Sequence, residues 1–286
     1  FADEVKEKTD GRITVEVYAG GQLGEEKVCV EQVQMGALDI TKSSMGALTS
    51  FNDDLNLLSL PYLFKSEDHL WAVMNTEIGQ NLLDSMESKG LVGLCWLDAG
   101  SRCFYATKPL NSVEDFKGVK FRVMQSSIYS DTVSCLGAVP ISMSGNEVYS
   151  ALQTGVVDGA ENNIPRIIDM SHNELCDYLI VDRHNIMPEM VLVSANVWNK
   201  LSADQQQIVS DAAKASADYD RELNEQQTND LVSALEEKGM KINSPELAPF
   251  AAATEKVLTD NADTYGDLLD QLKAWTVSYT HLRAHE

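Results

Sequence analysis

The spacing of apolar residues alternates between a period of two and a helical period along most of the chain. The first stretch, "RITVEVY" (12–18), alternates apolar and polar positions, which predicts a half-buried strand. The next stretch, "GQLGEEKVCVEQVQMGALDI" (21–40), predicts a turn and then a helix whose apolar members include Val28 and Met35. We expect that helix to stop at Gly36 and a short strand to follow it.

The same alternation of predicted strands and helices continues through the next 120 or so residues. In chain order the predicted elements are a helix pair "HLWAVMNTEIGQNLLDSMESKG", a buried strand "LVGLCWLDAG", a strand "GVKFRVM", a helix "SSIYSDTVSCLG", a strand "AVPISM", a helix "GNEVYSALQTG" and a strand "VVDGAENN" that runs into a loop. Such alternation is typical of layered α/β proteins, so the predicted fold class is α/β.

One predicted helix is long enough to constrain the architecture. After Ser202 the chain contains no Pro and no Gly until Gly239, and Ser202 and Gln205 form a capping-box pattern. A helix of about 36 residues is about 54 Å long at 1.5 Å per residue. That length exceeds the diameter of a domain of roughly 130 residues, so we expect the helix to run across two domains. A kink that makes two helices, or a coiled-coil partner, are the alternatives.

Composition and charge exclude several classes of protein. The chain has 286 residues, enough for two cores, and its apolar fraction of 44% is typical of a folded globular protein. A formal net charge of −22 argues against nucleic-acid binding and against docking on anionic lipid, because both need clustered Lys and Arg. No stretch approaches the roughly 20 uninterrupted apolar residues of a membrane span.

Both ends of the sequence look atypical for a complete, native chain. The chain opens on what looks like the second half of an amphipathic helix, so we expect a further N-terminal piece, and the absence of a signal peptide says nothing about compartment. At the other end, "TVSYTHLRAHE" (276–286) breaks a good helical pattern and holds two of the five His residues. We expect 276–286 to be a non-native tail.

Motifs for catalysis or metal binding are missing from the sequence. The five cysteines form no CxxC and no metal-ligand spacing, and the chain has no GxSxG, no GxGxxG after a strand, no P-loop and no HExxH. We therefore expect no cofactor, no metal and no enzymatic activity, with an enzyme of the same fold as the open alternative.

Polar side chains instead collect where predicted strands end. In open α/β sheets these carboxyl ends are where small ligands bind. Two arginines among amides and hydroxyls suit a planar carboxylate, which a guanidinium binds with two parallel hydrogen bonds. Surface ion pairs, or for Arg122 a solvated strand edge, are the alternatives in a protein with 44 acidic residues. The four strand ends carry Ser43 and Ser44; Asp98 and Arg102; Arg122 and Gln125; and Glu161, Asn162 and Asn163.

Three segments together resemble one known family. They are "GRITVEVYAGGQLGEEKVCVEQVQMGALDI", "KPLNSVEDFKGVKFRVMQSSIYSDTVSCLGAVPISMSGNEVYSALQTGVVDGAENN" and "LSADQQQIVSDAAK". The chain is similar, from residue 1 to about 275 and in a single order, to the extracytoplasmic solute receptors of tripartite ATP-independent periplasmic (TRAP) transporters. The run from "DFKGVKFRV" to "DGAEN" is the most specific part of the resemblance.

The resemblance implies a periplasmic-binding-protein fold of two α/β domains, each with a central sheet, joined by crossing strands and one long helix. A ligand cleft lies between the domains, which close over the ligand. The implied domains are 1–99 plus 188–227 and 100–187 plus 228–275. The implied protein is a periplasmic monomer that delivers an organic or sugar acid to TRAP membrane permease subunits.

The resemblance also implies ligand-binding residues. Arg122 matches the arginine that binds the substrate carboxylate, and Asn162 matches the asparagine that helps to hold that arginine and the carboxylate. Arg102 matches a second ligand-side arginine. One departure concerns 144–146, Ser-Gly-Asn here, where members that bind larger acids often have an aromatic ring just before the helix. The other implied contacts are Gln125, Glu189, Ser43, Ser44, Glu26, Asn163 and His184, of which His184 suits a structural role equally well.

Two shorter segments indicate which class of acid is the substrate. "DGAENNIP" and "DRHNIMPEM" resemble the subset of receptors associated with sugar acids, especially hexuronates such as glucuronate and galacturonate. Many hydroxyl groups need acceptors and also partners that both donate and accept; the predicted carboxylates supply the former, and the amide and hydroxyl side chains supply the latter. C4-dicarboxylates, 2-keto acids and other organic acids remain alternatives, since Arg102 could bind a second carboxylate. A stand-alone ligand sensor is a further alternative.

Overall fold

The computed structural model describes the backbone of residues 1–283, and the side chains of these residues except 225–229 and 273–283. Part of the predicted tail, 276–286, lies outside the described residues, and none of its side chains is described. Among the described residues there is no helix both long and apolar enough to cross a membrane.

Helices make up nearly half of the described chain and flank one sheet. Short 3₁₀ turns at Asp53–Ser59, Glu87–Lys89, Val113–Phe116, Gly145–Glu147 and His172–Glu174 connect them. In residues 1–283 the helices are α1 Ala2–Lys8, α2 Glu26–Met35, α3 Met45–Leu48, α4 Glu67–Met74, α5 Glu77–Asp84, α6 Ser127–Cys135, α7 Val148–Gln153, α8 Ile164–Asp169, α9 Ala195–Trp198, α10 Ala203–Glu237, α11 Ala248–Asp260 and α12 Ala262–Arg283.

The strands form one mixed sheet in the order β1-β6-β2-β5-β3-β4, with β7 beside β6. The resemblance implied a central sheet in each domain, but the described residues form a single sheet. The reason is that β2 and β6 are 16 and 17 residues long and pair antiparallel along both halves. The α/β fold class is confirmed. The strands are β1 Ile40–Ser44, β2 Leu91–Ala106, β3 Lys120–Val123, β4 Val139–Ser142, β5 Gly159–Asn163, β6 Tyr178–Ser194 and β7 Lys241–Asn243.

The strand predicted at 12–18 does not form. This segment pairs with no strand in the part of the chain that the structure describes. Its alternation is still used for packing, because Ile13 and Val15 lie against an apolar cluster, whereas Val17 and Tyr18 are 76% and 51% exposed. The period-two pattern therefore predicted the packing of Ile13 and Val15 but not the exposure of Val17, and a strand also needs a neighbouring strand to bond.

The long helix is confirmed as one unbroken element. It has 35 residues, about 52 Å, and begins with the predicted Ser202–Gln205 capping box. Gly239, with a φ of +98°, lies just past its end. Its first half packs Val209 and Ala212 into one apolar cluster, and its last turn packs Leu235 into another. The helix thus connects two separate cores.

The long helix also holds the middle of β2. The register of β2 against β6 shifts between Asp98 and Ser101, where Gly100 has a φ of +71°. At this bulge the Asp98 N–H donates to Asp220 over 2.7 Å, and Asn224 donates to the Asp98 carbonyl over 2.6 Å. Arg102 follows directly after the bulge, so α10 fixes the strand that carries it. The domain boundaries stay a prediction; α12 packs against α4, across the predicted division.

Candidate functional site

A cavity of about 260 Å³ opens where β1, β3, β5 and the centres of β2 and β6 approach one another. Its size suits a ligand smaller than a typical drug molecule. One wall comes from α2 and β1, and the other from β3, β5 and α8. Ser43 and His184 lie behind the lining. Eight of the ten predicted site residues line the cavity: Glu26, Ser44, Arg102, Arg122, Gln125, Asn162, Asn163 and Glu189.

Arg122 is a buried cation rather than a solvated strand edge. Its neighbours Phe121 and Val123 are fully buried, and Arg122 itself is only 4% exposed. Its Nε and Nη2 donate to the carbonyl of Met143 over 3.1 and 2.9 Å. Burial lowers its pKa from the ordinary value, although Glu161 acts in the opposite direction. The other N–H groups of the guanidinium remain available to an anion in the cavity.

Arg102 lines the same cavity but already has a partner. Its Nε pairs with Glu161, and its Nη2 donates to the Glu161 carbonyl over 2.9 Å. Burial alone would raise the pKa of Glu161, but Arg102 and His184 bring it down to about 2. The charge of Arg102 is therefore neutralised inside the protein, which the resemblance to a second ligand-side arginine did not imply.

His184 belongs to the support of this ion pair. Its Nδ1 lies 3.0 Å from Asp182, its Nε2 lies 3.5 Å from Glu161, and Tyr62 donates to the same Asp182 carboxylate. Burial alone would lower the pKa of His184, but Asp182 and Glu161 raise it to about 9. A charged, fully enclosed imidazole fits the structural role that the sequence left open.

The wall of α2 and β1 presents carboxylates. Glu26, the first residue of α2, accepts hydrogen bonds from the Ser44 N–H over 3.2 Å and from the Ser44 hydroxyl over 2.6 Å. Glu189 pairs with Lys42 at 2.6 Å. Ser43 is fully buried, which explains why it does not reach the lining. Carboxylate oxygens accept several hydrogen bonds each, so this wall can bind hydroxyl donors.

Two asparagines and a glutamine complete the predicted set. Asn163 donates to the Ala99 carbonyl over 2.6 Å, which ties the end of β5 to the bulge of β2. Asn162 accepts from the Asn163 N–H over 3.0 Å and lines the cavity. Gln125, just beyond β3, is exposed and lies on the lining.

Several lining residues were not predicted from the sequence. Arg166 and Met170 both line the cavity from the second wall, and Lys27 lines it elsewhere. Arg166 and Met170 are four residues apart, the spacing of one helical face, so a helix beginning directly after "ENN" was the available signal.

Glycines set the clearance of the cavity at two points. A Cβ on Gly46 would lie 2.9 Å from the Met124 sulfur and 3.0 Å from its Cβ, so α3 and the end of β3 meet closely there. A Cβ on Gly145 would lie 4.0 Å from Nη2 of Arg122. The position where larger-acid receptors often carry a ring is therefore open space beside the guanidinium.

Another cavity, of about 430 Å³, lies between α4, α5 and α10. Its most prominent cation, Arg221, stacks 4.8 Å from the Trp71 ring and pairs with Asp218. It therefore presents no equivalent of the buried, unpaired guanidinium of Arg122. No group of three or more His, Cys, Asp or Glu among the described residues could hold a metal ion.

Comparison with known proteins connects this geometry to one family. Residues 1–264 match the model of the bacterial extracellular solute-binding proteins of family 7, DctP. The C4-dicarboxylate-binding periplasmic protein DctP of Rhodobacter capsulatus is 33% identical over 278 residues, 96% of this chain and 83% of that protein.

Solved structures are similar over nearly the whole chain. A TRAP periplasmic solute-binding protein of Pseudomonas putida F1 with bound D-glucuronate has a TM-score of 0.93 at 35% identity, covering 96% of this chain and 90% of that one. One from Xanthobacter autotrophicus Py2 with bound β-D-galacturonate has a TM-score of 0.91 at 35% identity, covering 96% and 92%. One from Polaromonas sp. JS666 with D-erythronate has a TM-score of 0.92 at 29% identity, covering 96% and 90%.

Proposed function

Because the chain belongs to family 7 of the bacterial extracellular solute-binding proteins, we propose that it binds a hexuronate in the periplasm and delivers it to a TRAP membrane permease. The observation that carries this proposal is Arg122, a buried guanidinium held from one side by Met143. Arg122 has no ion pair with any carboxylate among the described residues. Such a cation is stabilised by a ligand carboxylate, which accepts two parallel hydrogen bonds from it.

The rest of the ligand is recognised by the opposite wall. Glu26 and Glu189 place acceptor oxygens where the hydroxyl groups of a sugar acid would donate. D-Glucuronate and β-D-galacturonate, the acids bound in two similar structures, combine one carboxylate with several hydroxyl groups. The cavity thus offers a cation at one side and acceptors at the other, as such a molecule requires.

A C4-dicarboxylate is the second candidate, favoured by the likeness to the R. capsulatus protein. A dicarboxylate needs a second cation, and the sequence offered Arg102 for that role. Glu161 already neutralises Arg102, and Arg166 lies on α8 beyond the end of β5 rather than beside Arg122. Glu26, which has no ion pair among the described residues, would repel an anion bound beside it. These two features favour the hexuronate.

Binding without chemical change is part of the proposal. The Ser44 hydroxyl lies 2.6 Å from the Glu26 carboxylate, but no His among the described residues lines the cavity to act as its general base. We propose instead that contacts to both walls bring them together by bending at the β2 bulge and along α10, in a monomer. A stand-alone sensor would use the same site and differ only in its partner.

Calorimetry with D-glucuronate tests the proposal directly. Losing bidentate, charge-assisted bonds in Arg122→Ala should weaken binding by at least about tenfold. Arg12→Ala, which removes an exposed arginine outside the cavity lining, is the matched control and should bind as the wild type does. Equal affinities for Arg122→Ala and the wild type would show that Arg122 does not bind the carboxylate.

A further inference from the structure

Arg166 brings another guanidinium to the cavity, and it lies on α8 rather than on β3, the strand that carries Arg122. Helix α8 starts directly after β5, and Arg166 and Met170 line the cavity from successive turns. Arg166 is half-buried. Neither an ion pair nor a hydrogen bond engages its guanidinium within the described residues.

The three arginines that line the cavity differ in whether another group balances their positive charge. Arg102 is neutralised by Glu161, and Arg122 is the proposed partner of the ligand carboxylate. A hexuronate has only one carboxylate, so Arg166 faces a ligand whose remaining oxygens are hydroxyl and ring oxygens. A guanidinium donates to such neutral oxygens as well as to anions, and cannot itself accept.

The two available guanidinium groups start from well-separated points of the wall. Arg122 on β3 is level with Ala160 on β5. The three further strand residues to Asn163 advance about 10 Å, and α8 begins only beyond them. Arg122 is also held in place by Met143, so its guanidinium does not follow the ligand along the cavity. Arg166 and Arg122 therefore approach different ends of an occupant.

We propose that Arg166 donates hydrogen bonds to oxygen atoms at the end of the ligand opposite its carboxylate, and so selects six-carbon acids over four-carbon ones. This inference rests on the proposed function and adds its length selectivity. The required chemistry is an acceptor oxygen at the far end. A hydroxyl of a hexuronate supplies it, and so does the second carboxylate of a six-carbon aldarate.

The test compares R166Q with the wild type by calorimetry on three acids: D-glucuronate, D-glucarate and the four-carbon D-erythronate. R183Q is the control, because Arg183 is exposed, lies outside the cavity lining and carries the same charge. We expect R166Q to bind D-glucuronate about tenfold more weakly, because one or two hydrogen bonds from a charged donor are lost. Its affinity for D-erythronate should fall by less than about twofold. R183Q should change neither.

The outcomes separate the two proposals. A larger loss for D-glucarate than for D-glucuronate supports Arg166 and shows that it also binds a far carboxylate; equal losses support it as a hydroxyl partner. An unchanged affinity of R166Q for D-glucuronate, or an equal loss for D-erythronate, overturns the role of Arg166 alone. A wild-type protein that binds neither six-carbon acid overturns the proposed function itself. Equal melting temperatures of R166Q and the wild type confirm that both are folded.

Discussion

Arg102 and Glu161 lie diagonally across the neighbouring strands β2 and β5 and form an ion pair whose side chains are only 4% and 1% exposed. Removing charges from water is costly, and the pair offsets that cost only while both partners are present. His184 adds a second cationic contact to Glu161 on the side away from the cavity. The pair therefore holds the two strands that carry the polar ends of the site.

Glu161→Gln should destabilise the protein by about 3 kcal/mol, because it leaves the buried Arg102 without its counter-charge. Denaturant unfolding at pH 7 measures this change. The double variant Arg102→Met/Glu161→Leu removes both charges and should unfold at a free energy closer to that of the wild type. A single variant as stable as the wild type would contradict the importance of the pair.

How far the sequence predicted this molecule depended on the range of the interactions. Local patterns were sufficient for the α10 helix with its capping box at Ser202 and for the placement of Arg122 at a buried strand end. The pairing of Arg102 with Glu161 was not predictable, because it depends on the register between strands 59 residues apart in sequence. The strand predicted at 12–18 did not form for a related reason: its pattern is local, whereas a strand also needs a neighbour, and the segment has none among the described residues.

The Asp98 carboxyl at the β2 bulge should make stability depend on pH. Burial raises its pKa to about 6, with the Glu67 and Asp220 carboxylates adding to the shift and the Gly100 N–H opposing it. A raised acid contributes stability that is full below its unfolded value near 4 and is lost as pH rises through 6. Asp98→Asn keeps an oxygen to accept from Gly100 and cannot ionise.

We therefore expect Asp98→Asn to gain about 2 kcal/mol relative to the wild type between pH 4.5 and pH 7.5. Unfolding free energies measured at several pH values give the difference. Asp131→Asn, at an exposed position on α6, serves as the control and should show no such trend. A difference that does not change with pH would mean that Asp98 titrates normally.

Gly46 should control how closely the two walls of the cavity can approach. A methyl group there would meet Met124 at 2.9 to 3.0 Å, so Gly46→Ala overpacks the contact between α3 and the end of β3. The added methyl group would hold the two walls farther apart, so closure over the ligand should become less favourable and the Kd for D-glucuronate should rise about tenfold.

Calorimetry of Gly46→Ala and Gly266→Ala tests this clearance, since a Cβ at Gly266 meets open space. Adding Met124→Ala to Gly46→Ala should recover part of the affinity, because it removes the atoms that the methyl group meets. Unchanged binding by Gly46→Ala, or loss without any recovery in the double variant, would show that this contact does not limit closure.

Glu26 should decide between hydroxyl groups and a second carboxylate at the wall of α2. Its carboxylate accepts from Ser44 and retains lone pairs for ligand hydroxyl groups, while its charge repels an anion. Glu26→Gln halves the acceptor capacity and removes the charge, so D-glucuronate should bind about tenfold more weakly, and D-glucarate should lose less or gain. Glu31→Gln, exposed on the same helix, is the control for a general charge effect. Equal losses for both acids would place the recognition of the hydroxyl groups elsewhere in the cavity.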